Sequence, residues 1–307
     1  MEKQYEVLFI LGAGASKPYG FPTGDELVLE IQESCIKKTG VIYGHLKDQF
    51  HPRAIETFGT ELRDSTQVSI DSFLKNRTEF DEAGKKAIVA KILKCESNVP
   101  AFYPREGNWI KYLINDFIGK NKSDWIKAKL NFITFNYDRS LEYILFRSIQ
   151  SSFGLDLEQS KQIFQKFYIH HFYGSIGNLP FQENYNNASE YVPIPVQKKE
   201  WEGHYVSKNF KNIKVMWDER ENHDGPDAGL LDYFYLSKKI FILGFGFDEF
   251  NLQRLGVDWA KITGDIYASS YQQSETERKR IIHRLGREIE FVEGDCLKLL
   301  KEKLYKL

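Results

Sequence analysis

The feature that most constrains the fold of this chain is an apolar run followed at once by two glycines. Residues 7–11 are all apolar, and Gly12 and Gly14 come directly after them. Such a run is typical of a buried strand, and the glycines allow the turn and the next helix to bring backbone amides close to a pyrophosphate. Lys17 stands where the dinucleotide fingerprint G-x-G-x-x-G has its third glycine. The pattern indicates a bound nucleotide, with an ordinary strand-to-loop turn as the alternative.

The composition narrows the class of protein. The chain has 307 residues, 42% of them hydrophobic, which is enough for a large core. Its formal net charge of −1 provides no overall field for nucleic acid or anionic membranes, so we expect neither as a direct partner. No apolar run approaches the ~20 residues of a membrane span, and the first residues do not resemble a secretory signal. Three widely separated cysteines predict a reducing, cytoplasmic location and no disulfide framework. Without a C-x-x-C pair we expect no thiolate zinc site, and we expect no other metal either.

Strand-like segments alternate with helical ones along the chain. In chain order, the predicted strands cover residues 7–11, 130–135, 166–172, 213–217, 239–243 and 287–292. A closing amphipathic helix is predicted to begin at Asp295, which caps it. This alternation predicts an α/β fold with a Rossmann-like, mostly parallel sheet.

Two segments depart from the alternation. Residues from about 40 to 123 have few strand-like runs, and we predict a largely helical insertion that packs over the nucleotide site. Residues 178–212 are rich in Asn, Pro and Tyr and are predicted to form a long irregular connection. We interpret residues 1–307 as a single domain that contains the helical insertion.

Short polar or glycine-rich motifs follow several predicted strands. They are Gly12–Ser16, Thr134–Asp138 and Gly244–Asp248, and His170 and His171 end a fourth strand. Ligands of open parallel sheets bind beyond the carboxyl ends of the strands, so these motifs are expected to share one crevice. Adjacent residues of a strand face opposite sides, and at most one of the two histidines can point into it. Taken singly, each motif also fits an ordinary turn or a structural histidine.

Together these motifs resemble the sirtuin-like domain, in particular that of the bacterial sirtuin-like NAD-degrading proteins of antiphage defence. Gly12–Ser16 resembles the first NAD-binding loop of the family, and Gly20–Pro22 resembles its Gly-x-Pro continuation. Thr134–Asp138 resembles the segment whose Asn serves catalysis, and Gly174–Ser175 the Gly-Ser that follows the catalytic His. Gly244–Asp248 resembles the late glycine loop that contacts the adenosine half of NAD.

The resemblance implies that NAD is the substrate and that the nicotinamide–ribose bond is hydrolysed. Asn136 would place the water or contact the ribose, His171 would be the general base, and Asp138 would orient the loop or a ribose hydroxyl. The residues implied to bind NAD are Gly12, Ala13, Gly14, Ser16, Pro22, Gly244, Gly246 and Asp248. Gly14→Val is expected to keep the fold and to weaken NAD binding at least tenfold.

Two departures from the family pattern leave alternatives open. The chain cannot build the four-cysteine zinc ribbon of the deacetylating sirtuins, so protein deacylation is not expected. Tyr173 stands immediately before Gly174, where the family has its histidine, so His171, His170 or Tyr173 would fill that role. A non-catalytic module that binds NAD or ADP-ribose and regulates a partner is the main alternative to an enzyme. ADP-ribosyl transfer is a third possibility.

The mode of regulation is also an expectation from the resemblance. An unregulated NAD hydrolase would poison its own cell, and the chain shows no sensor, nuclease or P-loop motif. We therefore expect an abortive-infection antiviral effector that is regulated by assembly or by a partner. The resemblance implies a homo-oligomer and, as a further partner, a ring-shaped DNA-translocase ATPase.

Overall fold

A parallel sheet forms the centre of the protein in a computed structural model, which describes residues 5–119, 121–182, 194–195, 199–215 and 228–304. The six strands are β1 (Tyr5–Leu11), β2 (Leu130–Thr134), β3 (Tyr168–His171), β4 (Ser237–Leu243), β5 (Asp265–Ser270) and β6 (Glu290–Glu293). All neighbours pair in parallel, in the order β3-β2-β1-β4-β5-β6. This is the strand order of doubly wound dinucleotide-binding domains, and the predicted Rossmann-like α/β class is confirmed.

The first strand occupies the middle of the sheet because both of its faces are apolar. Residues Val7 to Leu11 are buried between β2 and β4. The Phe9 ring stacks on Phe132 of β2 and on Phe241 of β4, with ring centres 5.0 and 5.5 Å away. These three rings share one register of the sheet, so the strand that carries the first glycine motif is held on both sides.

Helices and turns fill the described part of the segment between β1 and β2. The α-helices are α1 (Ala13–Ser16), α2 (Gly24–Lys37), α3 (Gly40–Leu46), α4 (Pro52–Asp64), α5 (Ile70–Asn76), α6 (Asp81–Glu96), α7 (Trp109–Tyr112) and α8 (Lys122–Lys127). Three 3₁₀ segments (Lys17–Tyr19, Thr78–Phe80, Val99–Phe102) and a π-helical segment (Leu113–Ile118) lie between them. We call α3 to α8 the helical region; it corresponds to the insertion expected over residues 40–123.

The remaining helices connect the later strands. They are α9 (Ser140–Phe153), α10 (Leu157–Phe164), α11 (Lys199–Asn209), α12 (Ala228–Tyr235), α13 (Glu249–Leu255), α14 (Glu275–Leu285) and α15 (Cys296–Lys303), with 3₁₀ segments at Phe210–Asn212 and Trp259–Lys261. No helix in the described ranges is long and apolar enough to cross a bilayer.

A buried ion pair joins the helical region to the loop after β2. Glu96 ends α6, and Arg139 precedes α9; both side chains are fully buried. The Glu96 carboxylate accepts from Nε (3.2 Å), Nη2 and the backbone amide (2.9 Å) of Arg139. Nη1 of the same guanidinium donates to the Gly177 carbonyl at 3.1 Å. The pair therefore fixes α6 against the segment that follows β2.

Several predicted boundaries need correction. Strand β5 was not predicted, and α11 lies inside the segment 178–212 that was expected to be irregular. Of the predicted strand 213–217, residues 213–215 are not extended in a sheet, and 216–217 lie outside the described residues. The last strand is Glu290–Glu293 instead of 287–292. The predicted cap is confirmed, because the Asp295 carboxylate accepts from the Lys298 amide at 2.8 Å.

Candidate nucleotide-binding site

A cleft of about 490 Å³ lies at the carboxyl edge of the sheet. Small-molecule sites typically enclose ~300–1,000 Å³, so its size suits a ligand. The loops after β1, β2, β4 and β5 all contribute to its wall, and Val68, Ser69 and Asp71 belong to the segment that enters α5 of the helical region. The predicted site residues that line it are Gly12, Ala13, Gly14, Asn136, Gly244, Gly246 and Asp248.

The two glycine loops are joined backbone to backbone. The amide of Gly12 donates to the Leu243 carbonyl and that of Gly14 to the Gly244 carbonyl, both at 2.9 Å. A Cβ on Gly244, where φ is +57°, would lie 2.1 Å from the Ala15 nitrogen. A Cβ on Gly14 would lie 2.9 Å from the Gly244 Cα. The expectation that Gly14→Val spares the fold is therefore wrong, because this glycine serves the packing of the two loops.

The later glycine loop offers the more open surface. A Cβ on Gly246 would meet nothing within 4 Å, and the residue is exposed in the wall of the cleft. Asp248, two residues later, caps α13 by accepting from the amides of Phe250 (3.0 Å) and Asn251 (3.2 Å). The carboxylate therefore fixes the end of this loop.

Asn136 is held by a chain of hydrogen bonds that crosses from the β2 loop to the β1 loop. Its Nδ2 donates to the Gly12 carbonyl and to Ser16 Oγ, each at 2.9 Å. Ser16 Oγ in turn donates to Asp138 Oδ2 at 2.7 Å. The other oxygen of Asp138 accepts from the amide of Ser140 (3.1 Å) and from its hydroxyl. Burial raises the pKa of Asp138, although these hydrogen bonds act in the opposite direction.

A smaller chamber of about 110 Å³ adjoins the cleft. Ser16, Pro22 and Asp138 line this chamber and not the main cleft, whereas Asn136 lines both. The predicted site residues are thus divided between the main cleft and this smaller, inner chamber. Asn136 stands at their junction.

His171 contacts the Asn136 loop but lines neither space. Its Nδ1 lies 2.8 Å from the Asn136 carbonyl oxygen, and its Nε2 lies 2.6 Å from Oε1 of the buried Glu142. Both ring nitrogens are therefore engaged by the protein. The sequence pattern did not point to Glu142, because the pairing depends on how α9 packs beside β3.

The other two candidates for the histidine role lie apart from each other. The ring of His170 packs between Tyr168 and Phe172, with ring centres 6.2 and 6.4 Å away. Tyr173 lines the cleft, and its hydroxyl donates to Asn251 Oδ1 at 2.5 Å. Burial raises the pKa of Tyr173, so its hydroxyl stays protonated at neutral pH. Of the three side chains, only that of Tyr173 reaches the cleft.

We expect the pKa of His171 to lie above its ordinary value of ~6.5. Burial alone would lower it, but the Glu142 carboxylate and the Asn136 carbonyl favour the charged ring and outweigh burial. The charged pair then stabilises the fold fully below pH ~6.5, and this contribution is lost as the pH rises through the raised pKa. NMR titration of the imidazole signals measures this value, and loss of a signal in His171→Gln assigns it. Glu142→Gln should move the pKa downward; a wild-type value below ~6.5 would contradict the expectation.

Asp71 and Tyr137 are among the residues of the cleft that were not predicted as site residues. Asp71 lies in the first turn of α5, and Tyr137 Oη donates to its Oδ1 at 2.9 Å. Ser69 caps α5, so a local signal for the helix start exists in the sequence. Nothing local places this helix start over the β2 loop, which depends on how the helical region packs.

Comparison with known proteins assigns no family: a scan against protein-family models and a search of the curated proteins give no match to the chain.

Proposed function

We propose that the chain is an NAD hydrolase that cleaves the nicotinamide–ribose bond. One observation carries the proposal: the two glycine loops and the Asn136 loop line a single cleft at the carboxyl edge of a sheet ordered 3-2-1-4-5-6. In such sheets dinucleotides bind where the strand order reverses, which is between β1 and β4. The resemblance of the sequence motifs to sirtuin-like NAD-degrading proteins supports the same substrate.

The wall of the cleft offers backbone donors for a pyrophosphate. The sequence pattern favoured amides of the first glycine loop as the donors. The amides of Gly12 and Gly14, however, already donate to the carbonyls of Leu243 and Gly244. Those of Ala13 and Gly246 form no such bond among the described residues, and both residues line the cleft. Backbone amides of this kind bind phosphate groups because their dipoles point at the negative charge. Ala13 and Gly246 would hold the pyrophosphate.

Asn136 is the residue best placed for the chemistry. Because Nδ2 is fixed by Gly12 and Ser16, the amide plane is set, and Oδ1 forms no hydrogen bond within the described part of the chain. This oxygen would accept a hydrogen bond from a water or a ribose hydroxyl. The leaving nicotinamide is a pyridinium, which departs as a neutral base, so the site needs no strong acid. The transition state would be oxocarbenium-like, by analogy with glycoside cleavage.

The resemblance also supports a proposal about biological role. We propose an abortive-infection effector whose NAD hydrolysis is released by assembly into a homo-oligomer or by docking on a ring-shaped DNA-translocase ATPase. In this proposal, His171 positions the Asn136 loop through its contact with the Asn136 carbonyl, and it is not the general base of the hydrolysis. Light scattering of the purified chain, with and without such an ATPase, measures the assembly.

Gly246→Val tests whether NAD occupies the cleft. Gly246 lines the cleft, and a Cβ there would meet nothing within 4 Å. We therefore expect the melting temperature to stay within about 2 °C, by the ordinary scale of surface substitutions. NAD affinity measured by calorimetry should fall at least tenfold, a loss of ~1.4 kcal/mol. Gly44→Val, which also meets open space but lies in α3 away from the cleft, is the matched control.

Activity is tested by incubating the wild type with NAD, alone and with the ATPase, and assaying free nicotinamide and ADP-ribose. Release of both in equal amounts supports hydrolysis. Binding of NAD without release would favour the regulatory module instead. A protein or nucleic acid labelled with ADP-ribose would indicate ADP-ribosyl transfer. In the binding experiment, unchanged NAD affinity of a folded Gly246→Val protein would show that NAD does not bind in this cleft.

A further inference from the structure

Asp71 is a carboxylate that the helical region contributes to the cleft. It stands in the first turn of α5 and lines both the main cleft and the inner chamber. Tyr137 Oη donates to its Oδ1 at 2.9 Å, and Tyr137 follows Asn136 directly in the β2 loop. A hydrogen bond thus joins Asp71 to the loop that carries the proposed catalytic amide. No other side chain donates to this carboxylate within the described residues.

Three other titratable groups of the neighbouring loops, Asp138, His171 and Asp248, have hydrogen-bond partners in the protein. Both oxygens of Asp138 accept hydrogen bonds from Ser16 or Ser140. Both ring nitrogens of His171 are engaged, and the ring lines neither space. Asp248 accepts the amides at the start of α13. Among these groups, Asp71 combines access to both spaces with an oxygen that no side chain occupies.

We propose that Asp71 is the general base of the hydrolysis, a role that rests on the proposed function. A water molecule would lie between its carboxylate and the Asn136 amide. The water oxygen bonds to the anomeric carbon of the ribose, and one water proton passes to Asp71. The bond from that carbon to the pyridinium nitrogen breaks, and its electron pair leaves with neutral nicotinamide. Asp71 then returns the proton to solvent, so NAD and water give ADP-ribose, nicotinamide and a proton.

The inner chamber provides the space that this role requires. Its volume of about 110 Å³ is well above the ~10–15 Å³ that one water needs. Asp71 and Asn136 both line it, and both also line the main cleft. A water held there has polar partners on the protein and a route to a ligand in the cleft.

The surroundings of Asp71 suit a proton acceptor near neutral pH. Burial raises the pKa of Asp71 to about 6. The hydrogen bond from Tyr137 and the positive charge of Lys85 on α6 act to lower it, and the negative charge of Asp248 acts to raise it. A base with a pKa just below neutral is ionised there, yet it is more basic than an ordinary carboxylate.

Asp71→Asn tests the role, because it keeps the size of the side chain and removes its basicity. Nicotinamide release should fall at least 100-fold, the lower range for loss of a general base, while NAD affinity by calorimetry changes less than threefold. Asp48→Asn makes the same chemical change on the exposed surface of the helical region and is the matched control. Equal release by wild type and Asp71→Asn overturns this inference alone. No release by the wild type, either as the assembled oligomer or with the ATPase present, overturns the proposed function itself.

The pH profile separates a base from a structural carboxylate. For the wild type, kcat/KM should fall on the acid side with a midpoint near the Asp71 pKa of about 6. Tyr137→Phe removes the hydrogen bond that favours the ionised carboxylate, so its pKa rises and the acid limb must move to higher pH. A limb that stays in place, in a Tyr137→Phe protein that still binds NAD, would overturn the role of Asp71.

Discussion

Asn136→Ala should reduce nicotinamide release at least 100-fold while the protein remains folded. The variant loses the oxygen that would meet the water or the ribose, and it also loses the amide that links Gly12 to Ser16. Each lost hydrogen bond contributes only ~0.5–1.5 kcal/mol to stability, so the fold should survive. Nicotinamide release under saturating NAD, compared with the melting temperature, measures the two effects separately.

Asn115→Ala is the control for this experiment. That side chain is exposed, and within the described part of the chain it bonds to the Lys111 carbonyl of α7, so its loss should not affect turnover. If Asn136→Ala turns over NAD within threefold of the wild-type rate, Asn136 is a turn residue and the proposed chemistry fails.

Arg139→Met should destabilise the protein by ~3–5 kcal/mol. The variant leaves Glu96 buried without its cation, and it removes the donors that the carboxylate and the Gly177 carbonyl use. Burial already raises the pKa of Glu96, and the Arg139 charge offsets only part of that effect. Denaturant unfolding followed by circular dichroism gives the free energy of unfolding for each variant.

A surface pair and a double variant complete this test. Arg63→Met removes the exposed partner of Asp64, and such pairs are worth only ~0–1 kcal/mol. Combining Glu96→Leu with Arg139→Met removes both charges and should recover much of the lost stability. A loss below ~1 kcal/mol in Arg139→Met would show that the buried pair does not hold α6 to the β2 loop.

The fold was predictable where burial and hydrophobic pattern agree. Strands β1 and β4 contain the continuous apolar runs 7–11 and 240–243, and β2 is apolar apart from Asn131 and Thr134. The glycine or polar residues that follow these strands mark the carboxyl edge. Strand β5 ends in Ser269 and Ser270, which are buried although serine favours loops, so its sequence resembles a turn. Helix α11 was missed because its sequence lacks a clear apolar face, yet Tyr205 and Val206 are buried where it packs on α6.

The candidate site was predictable only in those parts that follow strands directly. Gly12, Asn136 and Gly246 reach the cleft because parallel strands end at one edge. Strand alternation was too coarse to place His171, because Glu142 draws its ring away from the cleft. Asp71 reaches the cleft through the packing of α5, which no local pattern records. The positions of both His171 and Asp71 thus depend on tertiary packing, which the local sequence does not show.

The central position of β1 also bears on when the protein can become active. One neighbour of this first strand is β4, which begins only at Ser237. On the ribosome, β1 can pair with β2 earlier, but it lacks its second neighbour until most of the chain has been synthesised. The loops after β1 and β4 cannot meet before then. If the cleft hydrolyses NAD, nascent chains and products of premature termination upstream of β4 are harmless to the cell that makes them.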